Sequence, residues 1–175
     1  MLIEVSGNDL ILLFIKLLKG SEMVRFQEKI GHAERKCNQK GVRLTAKRKM
    51  VLSGLLVSEK AMSAYEIVDL CKTQFNEVIP PMSVYRILDF LQEQGFAHKL
   101  NLANKYVACC HIDCDHKHEI SKFLICEKCL RVKEINLGKI TKEELRQDVE
   151  SSGFQLVSPQ LEINCVCDSC FNTNA

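Results

Sequence analysis

Tryptophan is absent from this chain of 175 residues, and aromatic residues make up only 6% of it, although 46% hydrophobic residues can still supply compact cores. The chain also lacks a long apolar run, because residues 10–18 are too few, and too interrupted by Lys16, to span a bilayer. A secretion signal is not recognisable, since Glu4 and Asp9 stand where a positive segment should be and no small-residue cleavage site follows. These absences predict a protein of the reducing cytoplasm with no membrane partner.

Charge of one sign does not dominate either, since the formal net charge is only +2. Its distribution is nevertheless uneven: residues 24–99 carry 13 Lys or Arg against 8 acids, whereas residues 100–175 carry 9 against 11. A basic first half and an acidic second half suggest two domains with different partners.

Cysteine, in contrast, is abundant, with ten residues. Four of them form two short pairs, Cys126-x-x-Cys129 and Cys167-x-x-Cys170, and four thiolates arriving in this way satisfy a tetrahedral structural zinc site. The 37 residues between the pairs exceed the usual zinc-ribbon spacing, so we expect a small subdomain to fold between them. A disulfide framework is the competing interpretation, but it would need an oxidising compartment.

The first half carries the start and stop signals of successive helices. A segment of about 15 residues from Val24 has apolar residues at helical spacing and is followed by Gly41 as a stop. Thr45 is placed to cap a second helix, whose first turns are basic, and Ser63-x-x-Glu66 is a capping box that opens a third. Cys37 and Cys71, elsewhere in these helices, are expected to be buried small hydrophobes.

A fourth helix is predicted between Pro80-Pro81 and Gly95. Ser83, Tyr85 and Arg86 occupy its first turns, where a helix entering the major groove of DNA places its base-reading residues. An arginine there can contact guanine through two hydrogen bonds, while the two hydroxyl groups can contact phosphate or a base edge. A solvated helix face is the alternative interpretation.

Two short strands are predicted after this helix, at 96–100 and 105–109, around a turn at 101–104. A hairpin that follows a recognition helix is a wing. The first half is therefore predicted to be a winged helix-turn-helix domain.

The second half reads as a small α/β domain. Strands are predicted at 122–125 and 131–135, a helix from the capping box Thr141-x-x-Glu144 to about Gly153, and further strand material at 154–157 and 161–165. A small sheet with one helix leaves a face or edge exposed, which a second copy would cover. We therefore expect a homodimer.

The stretch between the two halves, residues 109–119, contains three Cys, three His and three acids. Such a density of metal ligands is not a core pattern and predicts a second metal site. Its mixture of thiol, imidazole and carboxylate suits zinc better than magnesium or calcium, while iron, cobalt and nickel remain open.

The predicted fold class is therefore α+β, with a winged helix-turn-helix domain at 23–108, a ligand-rich hinge at 109–120 and a zinc-binding dimerisation domain at 121–175. Residues 1–22 form an extension with two competing interpretations. Either translation starts at Met23, which we favour, or Asp9 caps a short amphipathic helix that docks on the body.

The ordered set of motifs resembles the ferric uptake regulator family of bacterial metalloregulators, most closely its zinc uptake regulator branch. The resemblance covers about residues 26–171. The segments that carry it are VRLT (42–45), SAY (63–65), PPMSVYRILDFL (80–91), QGFAHK (94–99), YVAC (106–109), FLICEKC (123–129), VKE (132–134) and the pair Cys167 and Cys170.

The resemblance implies a homodimeric repressor with two zinc ions per chain, one structural and one regulatory. The implied structural ligands are Cys126, Cys129, Cys167 and Cys170. The implied regulatory ligands are His98, Cys109, His118 (with His116 as the alternative) and Glu134. No counterpart is evident for Cys110, His111 and Cys114.

The implied function is zinc-responsive repression of zinc-uptake genes, with the zinc-loaded dimer bound to an inverted-repeat operator. The residues expected to contact DNA are Arg43, Tyr65, Ser83, Tyr85 and Arg86. The alternative within the family is an iron- or peroxide-responsive repressor, which the thiolate of Cys109 disfavours.

Enzymes form the other class considered. Zinc deaminases place a proline before a Cys-x-x-Cys, which neither pair has, and four thiolates close the coordination shell that a catalytic zinc leaves open. A Cys-x-x-Cys redox module would not explain the recognition helix or the wing. The sequence therefore predicts a regulator without catalytic activity.

Overall fold

The computed structural model describes residues 20–58, 60–112, 120–135, 142–157 and 160–172, in two units, Met1–Asp115 and His116–Ala175. The mixture of helices and strands confirms the predicted α+β class. The predicted domain limits at 22/23, 108/109 and 120/121 stay predictions. The apolar run at 10–18 and Asp9, which one of the two interpretations predicts to cap a short helix, lie outside the described residues. Met23 is described, but the choice of translation start stays a prediction.

Helix α1 (Gly20–Gln39) begins four residues before the predicted start at Val24. The apolar spacing marks the buried face of the helix, and Phe26 is the first fully buried residue among the described side chains, so the pattern did not mark the start of the helix. The predicted stop is confirmed: Gly41 has φ +68°, and the N–H of Val42 donates to the carbonyl of Cys37 at 3.0 Å.

Helices α2 (Ala46–Val57) and α3 (Ala64–Phe75) follow. Thr45 occupies the N-cap position of α2, but its side chain makes no capping hydrogen bond. The capping box of α3 is present in full, because the N–H of Glu66 donates to Ser63 Oγ at 3.2 Å and the N–H of Ser63 donates to Glu66 Oε2 at 2.6 Å.

Helix α4 (Pro81–Glu93) lies where the proline pair and Gly95 predicted it, and Gly95 has φ +74°. Its predicted apolar stripe is buried: Val84, Ile87, Leu88 and Leu91. They pack into one core with residues of α1, α2 and α3, and this core also holds the buried thiols of Cys37 and Cys71. Burial raises the pKa of Cys71 to about 11, as expected of an inert core thiol.

Strands β1 (Ala97–Leu100) and β2 (Lys105–Ala108) pair antiparallel and form the predicted wing. The wing is tied back to the residues before α3, because Tyr106 and Met62 exchange backbone hydrogen bonds of 2.7 and 2.9 Å. The winged helix-turn-helix arrangement is thereby confirmed within the first unit.

The second unit contains a sheet of strand order β4-β3-β5, with β3 (Ser121–Cys126) antiparallel to β4 (Val132–Glu134) and parallel to β5 (Gln160–Cys165). Helix α5 (Lys142–Ser151) connects β4 to β5, and α6 (Asp168–Asn172) follows β5. Thr141, the first residue of the predicted capping box, lies outside the described residues.

The prediction of strand structure at 154–157 is wrong. This segment is irregular, and Phe154 and Val157 are 72% and 95% exposed. Strand β3 is already flanked by β4 and β5, so this segment finds no free edge of β3 to pair with. Within the described residues no helix is long and apolar enough to cross a membrane.

Candidate metal centres and nucleic-acid interface

The first candidate metal centre is formed by the two cysteine pairs. The sulfur atoms of Cys126, Cys129, Cys167 and Cys170 all lie within 4.8 Å of one another. Cys126 is the last residue of β3, and a tight turn brings Cys129 beside it, closed by Leu130, whose N–H donates to the carbonyl of Cys126 at 2.9 Å. The turn requires a positive φ of 59° at Leu130, an unusual conformation for a leucine.

The spacing of these sulfurs fits zinc. A tetrahedron with Zn–S bonds of 2.3 Å has sulfur atoms about 3.8 Å apart. Cys129 Sγ and Cys167 Sγ are 3.6 Å apart, close to that value and far beyond the ~2.05 Å of a disulfide. Four thiolate donors that fill a tetrahedral shell are the donor set of a structural, rather than a catalytic, zinc site.

The electrostatics of the cluster favour loss of the thiol proton at Cys126 first. The backbone N–H of Cys167 donates to Cys126 Sγ at 3.3 Å, and this is the main reason that the pKa of Cys126 falls to about 6. The pKa of Cys170 rises to about 12, first because of its hydrogen bond with the Cys129 sulfur. Binding of a cation would therefore displace protons from the cluster, and metal affinity would fall in acid.

Cys165 is a fifth thiol at this end of the sheet, and the sequence reasoning treated it only as strand material. In the β3–β5 ladder it stands directly opposite Cys126. Its thiol donates to the carbonyl of Ile125 at 3.4 Å, and its carbonyl accepts from the N–H of Glu127 at 2.9 Å. A strand was predicted at 161–165, but its parallel register with β3 was not, so the position of Cys165 opposite Cys126 could not be predicted.

A second pair of donors lies at the base of the wing. His98 is in β1, and Cys109 follows β2, where its N–H donates to the carbonyl of Phe96 at 2.9 Å. Their ligand atoms lie within 4.8 Å of one another, Cys109 being buried and His98 half-buried. An imidazole and a thiol at this separation fit a borderline-soft cation such as zinc.

Of the other predicted regulatory ligands, the structure describes Glu134 but neither histidine. Glu134 is the last residue of β4, half-buried in the second unit. His116 and His118 lie outside the described residues, as does Cys114. Cys110 is exposed, with its Sγ 2.9 Å from Nδ1 of the adjacent His111.

The three residues of α4 that are predicted to contact DNA differ in their exposure. Arg86 is exposed, but Ser83 and Tyr85 are half-buried, and Tyr85 packs against the core of the first unit. The exposed line of α4 instead begins with Met82, whose side chain is 67% exposed, and continues through Arg86 one turn later. Sequence periodicity could have identified Met82, which lies four residues before Arg86.

Outside α4, the two other predicted DNA contacts are accessible. Arg43 is exposed before α2, and Tyr65, the second residue of α3, is 63% exposed. The basic first turns of α2, by contrast, are engaged within the unit. Lys47 pairs with Glu77 at 2.9 Å, Lys49 pairs with Glu34, and the guanidinium of Arg48 lies 3.5 Å from the centre of the Phe90 ring.

Comparisons with known proteins agree with this arrangement. The zinc uptake regulation protein of Escherichia coli (strain K12) is 36% identical over 154 residues, which cover 88% of this chain and 88% of that protein. A solved structure of a zinc uptake regulator complexed with zinc and DNA is similar with a TM-score of 0.75 and 34% identity, covering 85% of this chain and 97% of that one. The structure of holo XcZur, also 34% identical, has a TM-score of 0.68 and covers 82% of this chain and 96% of its own.

A family model, described as the ferric uptake regulator family, matches residues 39–164. That span runs from the end of α1 into β5 and includes the wing, the first cysteine pair and the crossover through α5. The chain therefore belongs to the ferric uptake regulator family, whose members are transcription regulators.

Proposed function

We propose that this protein is a zinc-responsive transcriptional repressor of zinc-uptake genes, which binds inverted-repeat operator DNA as a zinc-loaded homodimer. The observation that carries the proposal is the pairing of His98 with Cys109 at the base of the wing that follows α4. A thiol in this donor set favours zinc over harder cations, and its place in the DNA-binding unit gives zinc a means to influence DNA binding. The likeness to regulators named for zinc uptake supports the same conclusion.

Two zinc ions per chain are proposed, with different roles. The structural ion is assigned to Cys126, Cys129, Cys167 and Cys170, whose four sulfur atoms lie within 4.8 Å of one another. The regulatory ion is assigned to His98 and Cys109, to which the resemblance adds His118, or alternatively His116, and Glu134. Zinc supplies a fixed positive centre in each case, and the chain's residues determine the selectivity and the geometry.

On the DNA side, Arg86 is proposed to read a guanine from the first turns of α4, because it is exposed there. Arg43 and Tyr65, which are also exposed, are proposed as additional contacts, and Ser83 and Tyr85 as flanking contacts with restricted reach. We infer that the protein acts in the cytoplasm, where operator DNA is found, and that it has no catalytic activity.

The alternative is an iron- or peroxide-responsive repressor of the same family. The buried thiol of Cys109 is the observation against it, because thiolate ligands tilt a site toward zinc. Metal-dependent DNA binding measured with zinc and with ferrous iron at buffered free concentrations separates the two. Half-maximal operator binding at a lower free concentration of iron than of zinc would support the alternative.

The proposal is tested by titrating buffered zinc into the wild type and Cys109→Ser while operator binding is followed by fluorescence anisotropy. The operator is a duplex selected from random DNA by the zinc-loaded protein. Cys109→Ser should need at least about tenfold more free zinc for half-maximal operator binding. Loss of a single group that only supports a ligand already costs about 10–100-fold in metal affinity.

Cys71→Ala is the matched control, since it removes a thiol that is buried in the same unit and remote from any proposed ligand role. It should titrate like the wild type. Superimposable curves for Cys109→Ser and the wild type would remove Cys109 from the regulatory site.

A further inference from the structure

Cys165 serves no ligand role in the proposed zinc centre, yet it stands opposite one of the ligands, Cys126, at the end of two paired strands. We propose that this pair is a site of oxidative modification: hydrogen peroxide or a related peroxide converts Cys126 and Cys165 into a disulfide, which takes one thiolate away from the structural zinc. The inference rests on the proposed assignment of that zinc to the two cysteine pairs.

The register of the parallel ladder gives the pair suitable geometry. Neighbouring strands lie about 4.8 Å apart. Directly opposed residues of β3 and β5 thus have a Cα separation inside the range of roughly 4.4–6.8 Å that disulfides span. Side chains directly opposite one another in a parallel ladder point to the same face of the sheet, so the two sulfurs lie on one side.

The backbone at this end of the sheet can accommodate the remaining adjustment. Cys126 and Cys165 are the last residues of their strands, and each chain then leaves the ladder. Residues 127–129 form a turn, and residues 166–167 are irregular. A bond between the two sulfurs therefore pulls on strand ends rather than on strand interiors, where the hydrogen bonds of the ladder continue in both directions along the strand.

Access to the pair is limited but present. Cys126 itself is buried, whereas Cys129, Cys165 and Cys167 around it are half-buried. A molecule as small as hydrogen peroxide can reach this corner from the side of the half-buried thiols, while larger disulfide reagents are hindered. The thiol of Cys165 is held by one hydrogen bond to the carbonyl of Ile125, which its rotation would release.

The reaction balances with peroxide as the oxidant. The thiolate of Cys126 attacks one peroxide oxygen, the O–O bond breaks, and the hydroxide that leaves takes up a proton to become water. The thiol of Cys165 then attacks the oxidised sulfur, the S–S bond forms, the S–O bond breaks, and a second water leaves with the thiol proton. Two sulfurs lose two electrons in total, and one peroxide is reduced to two waters.

The consequence follows from the donor count. A disulfide sulfur is no longer a thiolate ligand, so Cys129, Cys167 and Cys170 would have to hold the ion alone. Release of the ion would remove the connection between the end of β3 and the segment that contains α6. Oxidation would thereby weaken the unit that is expected to dimerise, and operator DNA would be released even when zinc is plentiful.

The test compares the zinc-loaded full-length wild type with Cys165→Ser, in which the serine hydroxyl can still donate to the Ile125 carbonyl. Both are treated with hydrogen peroxide, zinc release is followed with a chromogenic chelator, and disulfides are mapped by fragmentation of linked tryptic peptides. Cys71→Ala is the control, because it removes a thiol outside this centre. The wild type and the control should form a Cys126–Cys165 link and release zinc as it forms, whereas Cys165→Ser lacks the attacking thiol and should leave the oxidised Cys126 as a sulfenic acid or linked only to Cys129, Cys167 or Cys170.

Links in the wild type that join Cys126 only to Cys129, Cys167 or Cys170, or zinc that stays bound to wild-type protein carrying the Cys126–Cys165 link, would overturn the inference. The zinc content of the reduced proteins is measured first, with Cys170→Ser alongside. If that content does not depend on Cys170, the structural zinc assignment fails by itself. The mapped link then still decides separately whether Cys126 and Cys165 react with each other.

Discussion

The ion pair between Glu66 and Lys105 joins the start of α3 to the wing, and its removal should measurably destabilise the first unit. Lys105 Nζ lies 2.8 and 2.9 Å from the two carboxylate oxygens of Glu66. The same carboxylate caps α3 by accepting from the N–H of Ser63. Glu66→Gln keeps the size and the capping acceptor, because glutamine also completes a capping box, and so removes mainly the attraction to Lys105.

The magnitude follows from the pKa of Glu66, which falls from 4.5 to about 2. Burial alone would raise this pKa, but hydrogen bonds from Lys105 and Ser63 outweigh it. A shift of about 2.5 units corresponds to roughly 3.4 kcal/mol for a fully shielded group. Because the Glu66 side chain is 50% exposed, solvent screening reduces this to about 1–2 kcal/mol, of which the pair with Lys105 should contribute about 1 kcal/mol.

The assay is a double-mutant cycle of Glu66→Gln and Lys105→Gln, unfolded in urea at pH 7.5 with zinc present. All three tyrosines, Tyr65, Tyr85 and Tyr106, lie in the first unit and the chain has no tryptophan, so tyrosine fluorescence reports on that unit alone. The coupling free energy should be about 1 kcal/mol.

The dependence on pH has a definite sign. The pKa of Glu66 is lower in the folded state than in the unfolded state, so its stabilisation is complete above about pH 4.5 and is lost as pH falls toward 2. The free-energy gap between wild type and Glu66→Gln should therefore stay constant from about pH 8 to 6 and begin to narrow only below about pH 5. A coupling below about 0.3 kcal/mol, or a gap that narrows between pH 8 and 6, would refute the reasoning.

Three further outcomes test the metal centre, the DNA surface and the backbone. Cys170→Ser should lose about one zinc per chain and weaken the dimer, which mass spectrometry and gel filtration would show; full metal content with an intact dimer would contradict the assignment. Arg86→Ala should cost roughly 1–3 kcal/mol of operator binding with little change on random DNA, whereas equal losses would mark a phosphate contact. Gly95→Ala should destabilise by about 1 kcal/mol because of its φ of +74°, while Gly31→Ala, inside α1, should stabilise by about 0.5–1 kcal/mol; urea unfolding that gives both the same sign would contradict this.

The parts of the fold that were predicted correctly depend on signals that act over a few residues. The capping box of Ser63 and Glu66, the stop at Gly95 and the two strands of the wing each need only neighbouring residues in order to form. The segment 154–157 was mistaken for a strand because its apolar residues resemble one. A strand also needs a partner strand, which is distant in sequence and cannot be recognised from the segment itself. Helix α1 was predicted too short because its apolar spacing is recognisable only from about Phe26, whereas the helix begins at Gly20.

The candidate site divides along the same line. The four cysteines of the two Cys-x-x-Cys pairs could be recognised from their spacing, because Cys-x-x-Cys is itself a local chelating geometry. The half-burial of Tyr85 was not predictable from the helical wheel alone, since it depends on packing against core residues that are distant in sequence. His116 and His118 lie outside the described residues, so the choice between them stays a prediction.

Parallel pairing of β3 with β5 explains why the two cysteine pairs, which are distant in sequence, lie close together. The carboxyl ends of parallel strands lie at the same edge of a sheet. The pair that begins at Cys126 and the pair that begins at Cys167 therefore follow the ends of neighbouring strands. The ladder thus brings Cys129 and Cys167 to a sulfur separation of 3.6 Å. An ion held by the four sulfurs would tie the short helix α6 and the turn before Leu130 to the ends of these two strands.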